Sequence, residues 1–174
     1  MTDLRYPIGP LRLDVSPDPA WRAARIAEIE ETPARLRAAV SGLSDEQLEA
    51  PYRPEGWTVR QVVHHVPDSH ANAYVRFKLA LTEDGPTIKP YLEARWAELP
   101  DTAGTPVEVS LVLLEALHRR WVVLLHGMSP EDFARPLRHP EMGRLTLDQM
   151  LALYAWHGRH HVAHVTALRE RMGW

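Results

Sequence analysis

Hydrophobic residues recur at helical spacing along four long stretches of the chain, and the first two lie in its N-terminal half. The first stretch begins after Asp18, the expected N-cap, and continues to about Val40 with a bend at Pro33. The second begins at Thr58, which opens a capping box of the form Thr-x-x-Gln, and continues to about Leu81. Both stretches predict long amphipathic helices.

The third and fourth stretches have equally clear limits. Thr105 as N-cap and Pro106 at the first helical position predict a third helix that ends at Gly127. Thr146 opens another capping box, and the fourth helix continues from there to Met172, where a glycine follows. The two histidine-rich segments of the chain fall on the second and fourth helices.

The four stretches predict an all-α four-helix bundle with long crossover loops, in one domain that spans residues 1–174. Residues 1–18 contain three prolines and are predicted to form an extended N-terminal arm. No segment shows the sustained alternation of a β-strand, so no strand is predicted. Loops or short helical turns are predicted at residues 44–47, 51–56, 82–104 (with one turn near 91–99) and 129–130.

Composition narrows the function classes. The chain has no cysteine, which excludes disulfides, thiolate metal ligands and a nucleophilic thiol of its own. A net charge of −3 gives no basic surface of the kind that binds nucleic acid. No apolar run approaches the roughly 20 residues that a membrane span needs, and the first residues lack the pattern of a secretion signal. We therefore expect a soluble cytoplasmic protein.

Four histidines lie within eight residues of the predicted fourth helix, namely His157, His160, His161 and His164. At about 100° per residue they all fall in one sector of the helix. So many imidazoles on one face are hard to satisfy by hydrogen bonds alone, since each ring has two nitrogens that need partners. This pattern favours a metal site. His157 with His161 and His160 with His164 have the same spacing, so spacing does not choose the ligands.

The predicted second helix carries a smaller cluster. His64 and His65 are adjacent and point about 100° apart, and the neighbouring apolar positions favour His65 as the ring that faces the bundle axis. His64 is then expected at the rim of the site and His70 at the surface. Asp68 is a weak candidate for orienting a ring or accepting a proton, and a solvated helix acid explains it equally well.

The other histidines and the tryptophans have simpler interpretations. His118, His126 and His139 are predicted at the surface or at helix ends. The chain has neither a His-Glu-x-x-His helix nor a Gly-x-Ser-x-Gly elbow, which argues against a zinc peptidase and a serine hydrolase. Four tryptophans are predicted to pack in the core: Trp57, Trp96, Trp121 and Trp156.

Three segments share one family pattern: Gly56 to His65 followed by Asp68-Ser69-His70, Arg76 to Glu83, and Tyr154 to His164. Together they resemble the DinB-like superfamily, specifically its YfiT-type branch of proposed metal-dependent hydrolases. Short motifs at both ends fit the same branch, Tyr6-Pro7-Ile8-Gly9 and Arg171-Met172-Gly173-Trp174. The resemblance therefore covers nearly the whole chain.

The resemblance implies a four-helix bundle that holds one divalent metal ion, zinc or nickel, with water completing the shell. Carried over residue by residue, it implies that His65, His157 and His161 are the ligands. His164 then becomes a candidate for orienting a ligand or facing substrate, and His160 moves toward the edge of the site. These roles come from the family pattern, because the spacing leaves both histidine pairs open.

The resemblance also implies an activity and an assembly. YfiT-type members resemble bacillithiol S-transferases, and the branch suggests a homodimer. We expect a metal-dependent enzyme with an open three-histidine site and a thiol S-transferase-like or hydrolase activity on a small electrophilic substrate. A transferase would use a low-molecular-weight thiol as co-substrate. The alternatives are a hydrolase that uses metal-bound water and a non-catalytic metal-binding or stress-response bundle.

Pro67 departs from the family pattern, which commonly has a small non-proline residue at this position. A proline inside a helix removes one backbone hydrogen bond and can kink the helix. The sequence therefore predicts a kink that begins beside His65.

Overall fold

Four long helices form the body of the computed structural model, which describes residues 3–174. The fold is a four-helix bundle, as the hydrophobic pattern predicts, and the first two residues of the predicted arm lie outside the described part. That the chain forms one domain stays a prediction. The long helices are α1 (Pro19–Val40), α3 (Val59–Thr82), α6 (Val107–His126) and α8 (Leu147–Met172).

Side-chain caps begin three of these helices where the sequence predicts them. The Asp18 carboxylate accepts a hydrogen bond from the Trp21 N–H at 2.7 Å, and complete capping boxes start α3 at Thr58 and α8 at Thr146. The predicted cap of α6 is wrong. The N–H of Thr105 bonds the carbonyl of Asp101 at 3.0 Å and closes a preceding short helix, so Pro106 occupies the N-cap position of α6 without a side-chain cap.

Short helices and one hairpin connect the long helices. The crossover at residues 82–104 contains two short helices, where the sequence predicts one turn. The short helices are α2 (Asp45–Leu48), α4 (Glu93–Trp96), α5 (Pro100–Gly104) and α7 (Pro130–Phe133). No helix within residues 3–174 is long and apolar enough to cross a membrane.

The prediction that the chain has no strand is wrong. Strands β1 (Pro136–His139) and β2 (Gly143–Thr146) form an antiparallel hairpin that leads directly into α8. Leu137 pairs with Leu145, and both are buried, while the next pair along the ladder is exposed. Strands of four residues contain too few alternations for the period-two pattern to be recognised.

The core consists of two apolar clusters with a polar layer between them. α1 and α3 each pack against both α6 and α8. One cluster includes Phe77, Trp121 and Leu151, and the other includes Val63 and Leu114. Where the clusters separate, each long helix carries a buried polar residue in the sequence interval between them: Thr32 on α1, Ser69 and His70 on α3, His118 on α6, and His160, His161 and His164 on α8.

Two prolines lie inside long helices near this layer. α1 is continuous through Pro33 and α3 is continuous through Pro67. Each proline lacks the N–H that would bond the carbonyl four residues earlier, at Ile29 and Val63 respectively. The predicted bend at Pro33 and the predicted kink at Pro67 stay predictions.

Gly158 allows α1 and α8 to approach closely beside the polar layer. A Cβ atom at this position would lie 2.5 Å from Thr32 Oγ1, 2.7 Å from Cγ2 and 3.2 Å from Cβ. A rotation of the Thr32 side chain would not relieve the last contact. Nearer the N-terminal ends of the two helices, Arg22 and Asp148 form a paired ion contact with both N–O distances at 2.8 Å.

Gly158→Ala is expected to lower the free energy of unfolding by on the order of 2 kcal/mol, because overpacking outweighs the gain of about 1 kcal/mol from better helix propensity. Urea unfolding measures the change. Gly104→Ala is the matched control, since nothing lies within 4 Å of its new Cβ. The double variant with Thr32→Ala should recover part of the loss, and a Gly158→Ala chain as stable as wild type contradicts the close-packing argument.

Candidate metal centre

Three histidine side chains from α3 and α8 converge in the polar layer. His65, His157 and His161 each offer a ring nitrogen, and these nitrogens all lie within 4.8 Å of one another. The Nε2 atoms of His65 and His157 are 3.3 Å apart. These are the three residues that the resemblance implies as ligands, and the structure brings them together.

The spacing of these nitrogens fits a single small cation. Zinc binds imidazole nitrogen at about 2.0–2.1 Å in a tetrahedral shell, and two ligands of such a shell are about 3.3 Å apart. The Nε2 atoms of His65 and His157 already have this separation. The donor set, three imidazoles without thiolate, also suits nickel. The residues present therefore fit a divalent transition metal ion.

Burial keeps the three rings neutral. It lowers the pKa of His65 to about 4. Burial also lowers the pKa of His157 and of His161 well below the usual histidine value, and neighbouring imidazoles add to the effect. Neutral rings have a free lone pair at pH 7, which is the form that binds a metal ion.

A cavity of about 420 Å³ opens onto the three rings. One wall is the turn at residues 52–57, in which the Tyr52 N–H bonds the Trp57 carbonyl at 3.0 Å. Trp57 lies against His65 with ring centroids 4.6 Å apart. Trp156 also lines the cavity, Glu55 and Glu93 contribute carboxylates, and Arg53 contributes a guanidinium. A small molecule in this cavity would contact aromatic faces, the imidazoles, two carboxylates (Glu55 and Glu93) and one guanidinium (Arg53).

The four tryptophans do not behave alike. Trp121 is fully buried, as predicted for a core side chain. Trp57 and Trp156 line the cavity instead, and Trp96 is 39% exposed. The core prediction is therefore wrong for Trp96 and incomplete for the two cavity residues.

The other two histidines of α8 also line the cavity. His164 stacks on Tyr52 with ring centroids 3.9 Å apart, its Nε2 lies 3.1 Å from the Arg5 carbonyl oxygen, and its Nδ1 lies 3.4 Å from Nδ1 of His161. The N-terminal arm thus contacts the ring behind a candidate ligand. His160 stacks on Trp156, and its Nδ1 is buried without a hydrogen-bond partner among the described residues.

His70 and His118 are buried, which contradicts their predicted surface positions. Nε2 of His70 lies 3.0 Å from Nδ1 of His157, and Nδ1 of His70 lies 2.8 Å from Nε2 of His118. Nδ1 of His118 lies 2.7 Å from the Ile29 carbonyl oxygen. The sequence did contain a signal, because both histidines fall in register with buried apolar positions of their helices: Val66, Ala73 and Phe77 on α3, and Leu111, Leu114, Trp121 and Leu125 on α6.

His64 and Asp68 lie away from the three rings. His64 was predicted at the rim of the site, but it is buried and its Nδ1 lies 2.7 Å from Ser110 Oγ of α6. Burial raises the pKa of Asp68 to about 6, and the nearby Asp101 adds to the shift. Among the described residues, the Asp68 carboxylate neither bonds a histidine ring nor lines the cavity.

Some polar groups at the site were not predicted from the sequence, and two histidines lie outside the site. Sequence analysis missed Glu93, because it lies in the long crossover, and Ser69, whose Oγ is 3.5 Å from Nε2 of His157. His126 is exposed at the end of α6, as predicted. His139 ends β1, partly exposed, and its Nδ1 accepts hydrogen bonds from the backbone of the hairpin turn.

Comparisons with known proteins show the family and support the fold. Proteins of Bacillus cereus and Bacillus mycoides, named as candidate metal-dependent hydrolases, are each 55% identical to the chain over 174 residues, which is 100% of both sequences. YfiT from Bacillus subtilis, described as a probable metal-dependent hydrolase with an unusual four-helix bundle topology, has a TM-score of 0.96 and 48% identity over 98% of both chains. TT2238, described as a four-helix bundle protein, is 21% identical, and the match covers 84% of this chain and 98% of TT2238 with a TM-score of 0.58. This similarity supports the fold alone. The DinB superfamily model matches residues 28–165, and the chain belongs to the DinB superfamily.

Proposed function

We propose that this protein is a metal-dependent hydrolase of small molecules whose divalent ion, zinc or nickel, is held by His65, His157 and His161. The observation that carries the proposal is the convergence of three neutral imidazole nitrogens within 4.8 Å at the wall of a cavity of about 420 Å³. The names of the relatives support the same class.

The coordination number favours catalysis over a purely structural role. The group of candidate ligands has three members among residues 3–174, so a tetrahedral ion would keep one position for water or substrate. A closed structural site would need a fourth protein ligand. When bound, such an ion acts as a Lewis acid and lowers the pKa of a water or thiol that it coordinates.

The surrounding residues have distinct tasks in this proposal. His164 is a positioning residue, since its Nε2–H donates to the Arg5 carbonyl and its Nδ1 is left to accept the Nδ1–H of His161. Glu55 and Glu93 are the carboxylates of the cavity wall and the candidate proton acceptors. Asp68, the weak candidate from the sequence, is the less suitable group because it lies outside the cavity lining.

Thiol S-transfer is the second candidate. The open position and the cavity suit a thiol as well as water, and the cysteine-free chain would need a low-molecular-weight thiol as co-substrate. Both activities would use the same three ligands. The difference lies in the nucleophile, which only an assay can identify.

The homodimer, the cytoplasmic location and the absence of nucleic-acid binding stay predictions. The outer face of α6 is the most suitable surface for a second copy, because Val109, Val112, Leu113 and Val123 are each more than half exposed there.

His161→Ala should reduce bound metal from one ion per chain to nearly none, because a two-histidine site loses a third of its donors. Elemental analysis of protein purified without a histidine tag measures the occupancy. His126→Ala, which alters an exposed histidine on α6, is the control and should keep the full ion. Full occupancy in His161→Ala would exclude the proposed ligand set.

The metal-free protein should lose stability as the pH falls from about 6.5 towards 4. Burial lowers the folded-state pKa values of His65, His118 and His160 to about 4. Between pH 6.5 and 4 the unfolded chain therefore binds more protons than the folded chain. Each of these rings then lowers the free energy of unfolding by about 1.4 kcal/mol per pH unit. Asp68, with its pKa raised to about 6, has the opposite sign, but it is one group against at least three.

Urea unfolding of the metal-free protein at pH 7.5 and pH 5 tests this dependence, with a loss of several kcal/mol expected at the lower pH. The His126→Gln variant is the control for an exposed histidine and should show the same dependence as wild type. Equal stability at the two pH values would mean that the buried rings are not neutral in the folded state.

Metal-dependent cleavage is expected in a panel of chromogenic esters and amides, and it should disappear with a chelator and in His161→Ala. The same electrophiles are then assayed with a series of small thiols. Conjugation without cleavage would assign the transferase instead of the hydrolase. A metal-loaded protein that is inactive in both assays would favour the non-catalytic bundle.

A further inference from the structure

A proline on α1 leaves a backbone carbonyl available inside the bundle. In a regular helix the carbonyl of Ile29 would accept the N–H of residue 33, but that residue is Pro33, which has no N–H. Ile29 is fully buried, so water does not replace the lost donor. Nδ1 of His118 lies 2.7 Å from this carbonyl oxygen and supplies one.

The carbonyl determines where the protons lie on the next two rings. A carbonyl oxygen only accepts, so Nδ1 of His118 must donate. A neutral imidazole has one N–H, and burial lowers the pKa of His118 to about 4, so its Nε2 carries a lone pair. Nδ1 of His70, at 2.8 Å, must therefore donate to that lone pair.

The same reasoning reaches the candidate metal ligand. His70 is fully buried and has donated through Nδ1, so its Nε2 accepts. The partner at 3.0 Å is Nδ1 of His157, which must be the protonated nitrogen. Nε2 of His157 is then left with its lone pair directed at Nε2 of His65 and at Ser69 Oγ. One backbone carbonyl of α1 thus selects the tautomer of a ring on α8 through two rings on α6 and α3.

We propose that His70 and His118 are positioning residues that hold the proton of His157 on Nδ1 and so keep its Nε2 free for a metal ion. This series of hydrogen bonds runs from the Ile29 carbonyl on α1 through His118 on α6 and His70 on α3 to His157 on α8. It lies in the polar layer between the two apolar clusters. Ligating histidines generally have such a partner behind the ring, and its loss typically weakens metal binding by about 10–100-fold. The role toward the metal rests on the proposed function, whereas the proton order does not.

Ring ¹⁵N NMR of the metal-free protein tests the proton order without any metal. The signals of His157 can be assigned by their loss in a His157→Gln variant. Wild type is expected to show His157 as the Nδ1–H tautomer, although imidazole in water prefers the Nε2–H form. A His157 ring protonated on Nε2 overturns the proposal, whatever the protein binds.

Zinc affinity, measured by competition with a chromogenic chelator, tests the consequence for the site. His118→Leu should weaken binding by about 10–100-fold. His126→Leu, the same substitution at an exposed position of α6, should leave it unchanged. His118→Gln should restore much of the affinity, because the amide can donate to the Ile29 carbonyl and accept from His70. Wild-type affinity in a folded His118→Leu variant overturns the positioning role.

The two measurements separate this inference from the proposed function. A wild-type protein that shows the Nδ1–H tautomer of His157 supports the proton relay even where no ion binds, and the metal proposal alone then fails. If His118→Leu does not fold, the tautomer of wild type and the affinity of His118→Gln still decide. Wild-type zinc binding combined with a randomly distributed His157 tautomer overturns the relay and leaves the metal proposal standing.

Discussion

The need to satisfy both nitrogens of every buried imidazole governs the centre of this bundle. An unpaired buried polar group costs about 1–3 kcal/mol, and seven histidines lie in or beside the polar layer, so most of their nitrogens need partners there. On the far side of the layer the rings bond one another and end on the backbone carbonyls of Ile29 and Arg5. The converging nitrogens of His65, His157 and His161 lie at the wall of the cavity, whereas Nδ1 of His160 is buried without a partner among the described residues. The geometry of the site is thus a consequence of packing imidazoles between two apolar clusters.

Two residues with unusual backbone properties make this layer possible. Pro33 has no N–H and therefore leaves the Ile29 carbonyl without its partner in α1. Gly158 permits α1 to approach α8 next to His157. The two positions meet at the same level of the bundle, because Thr32 precedes Pro33 and contacts Gly158. With a residue other than proline at position 33, the Ile29 carbonyl would accept the N–H of that residue and would not be available to His118. The helix-interior proline and glycine, Pro33 and Gly158, therefore both lie beside the histidine layer.

Most of the fold could be predicted, because strong local signals mark it: capping boxes at Thr58 and Thr146 and long amphipathic stretches. The β-hairpin was not predicted, because its four-residue strands are too short to show a recognisable alternation of apolar and polar residues. On α8, spacing alone left two histidine pairs equivalent, since the rotation of a helix about its axis is a tertiary property that only the family resemblance could supply. The sequence places His70 at the surface because it points away from His65 on the helix, and His118 because it stands apart from both histidine clusters, although both continue buried apolar stripes. Glu93 begins the short helix α4 within the long crossover, where no hydrophobic periodicity predicts its position at the cavity.

A site built from three neutral rings has a further electrostatic consequence. Histidine ligands contribute no negative charge, so a divalent ion bound by them keeps its full charge within a largely buried environment. Such an ion favours an anion, or a group that readily loses a proton, as its fourth partner, whether that group is water or a thiol. Glu93 is a carboxylate at the cavity wall that can balance this charge or receive the proton. The same charge pattern opposes protonation of the surrounding rings, so an ion bound at the proposed site and the neutral state of the histidine layer would stabilise each other.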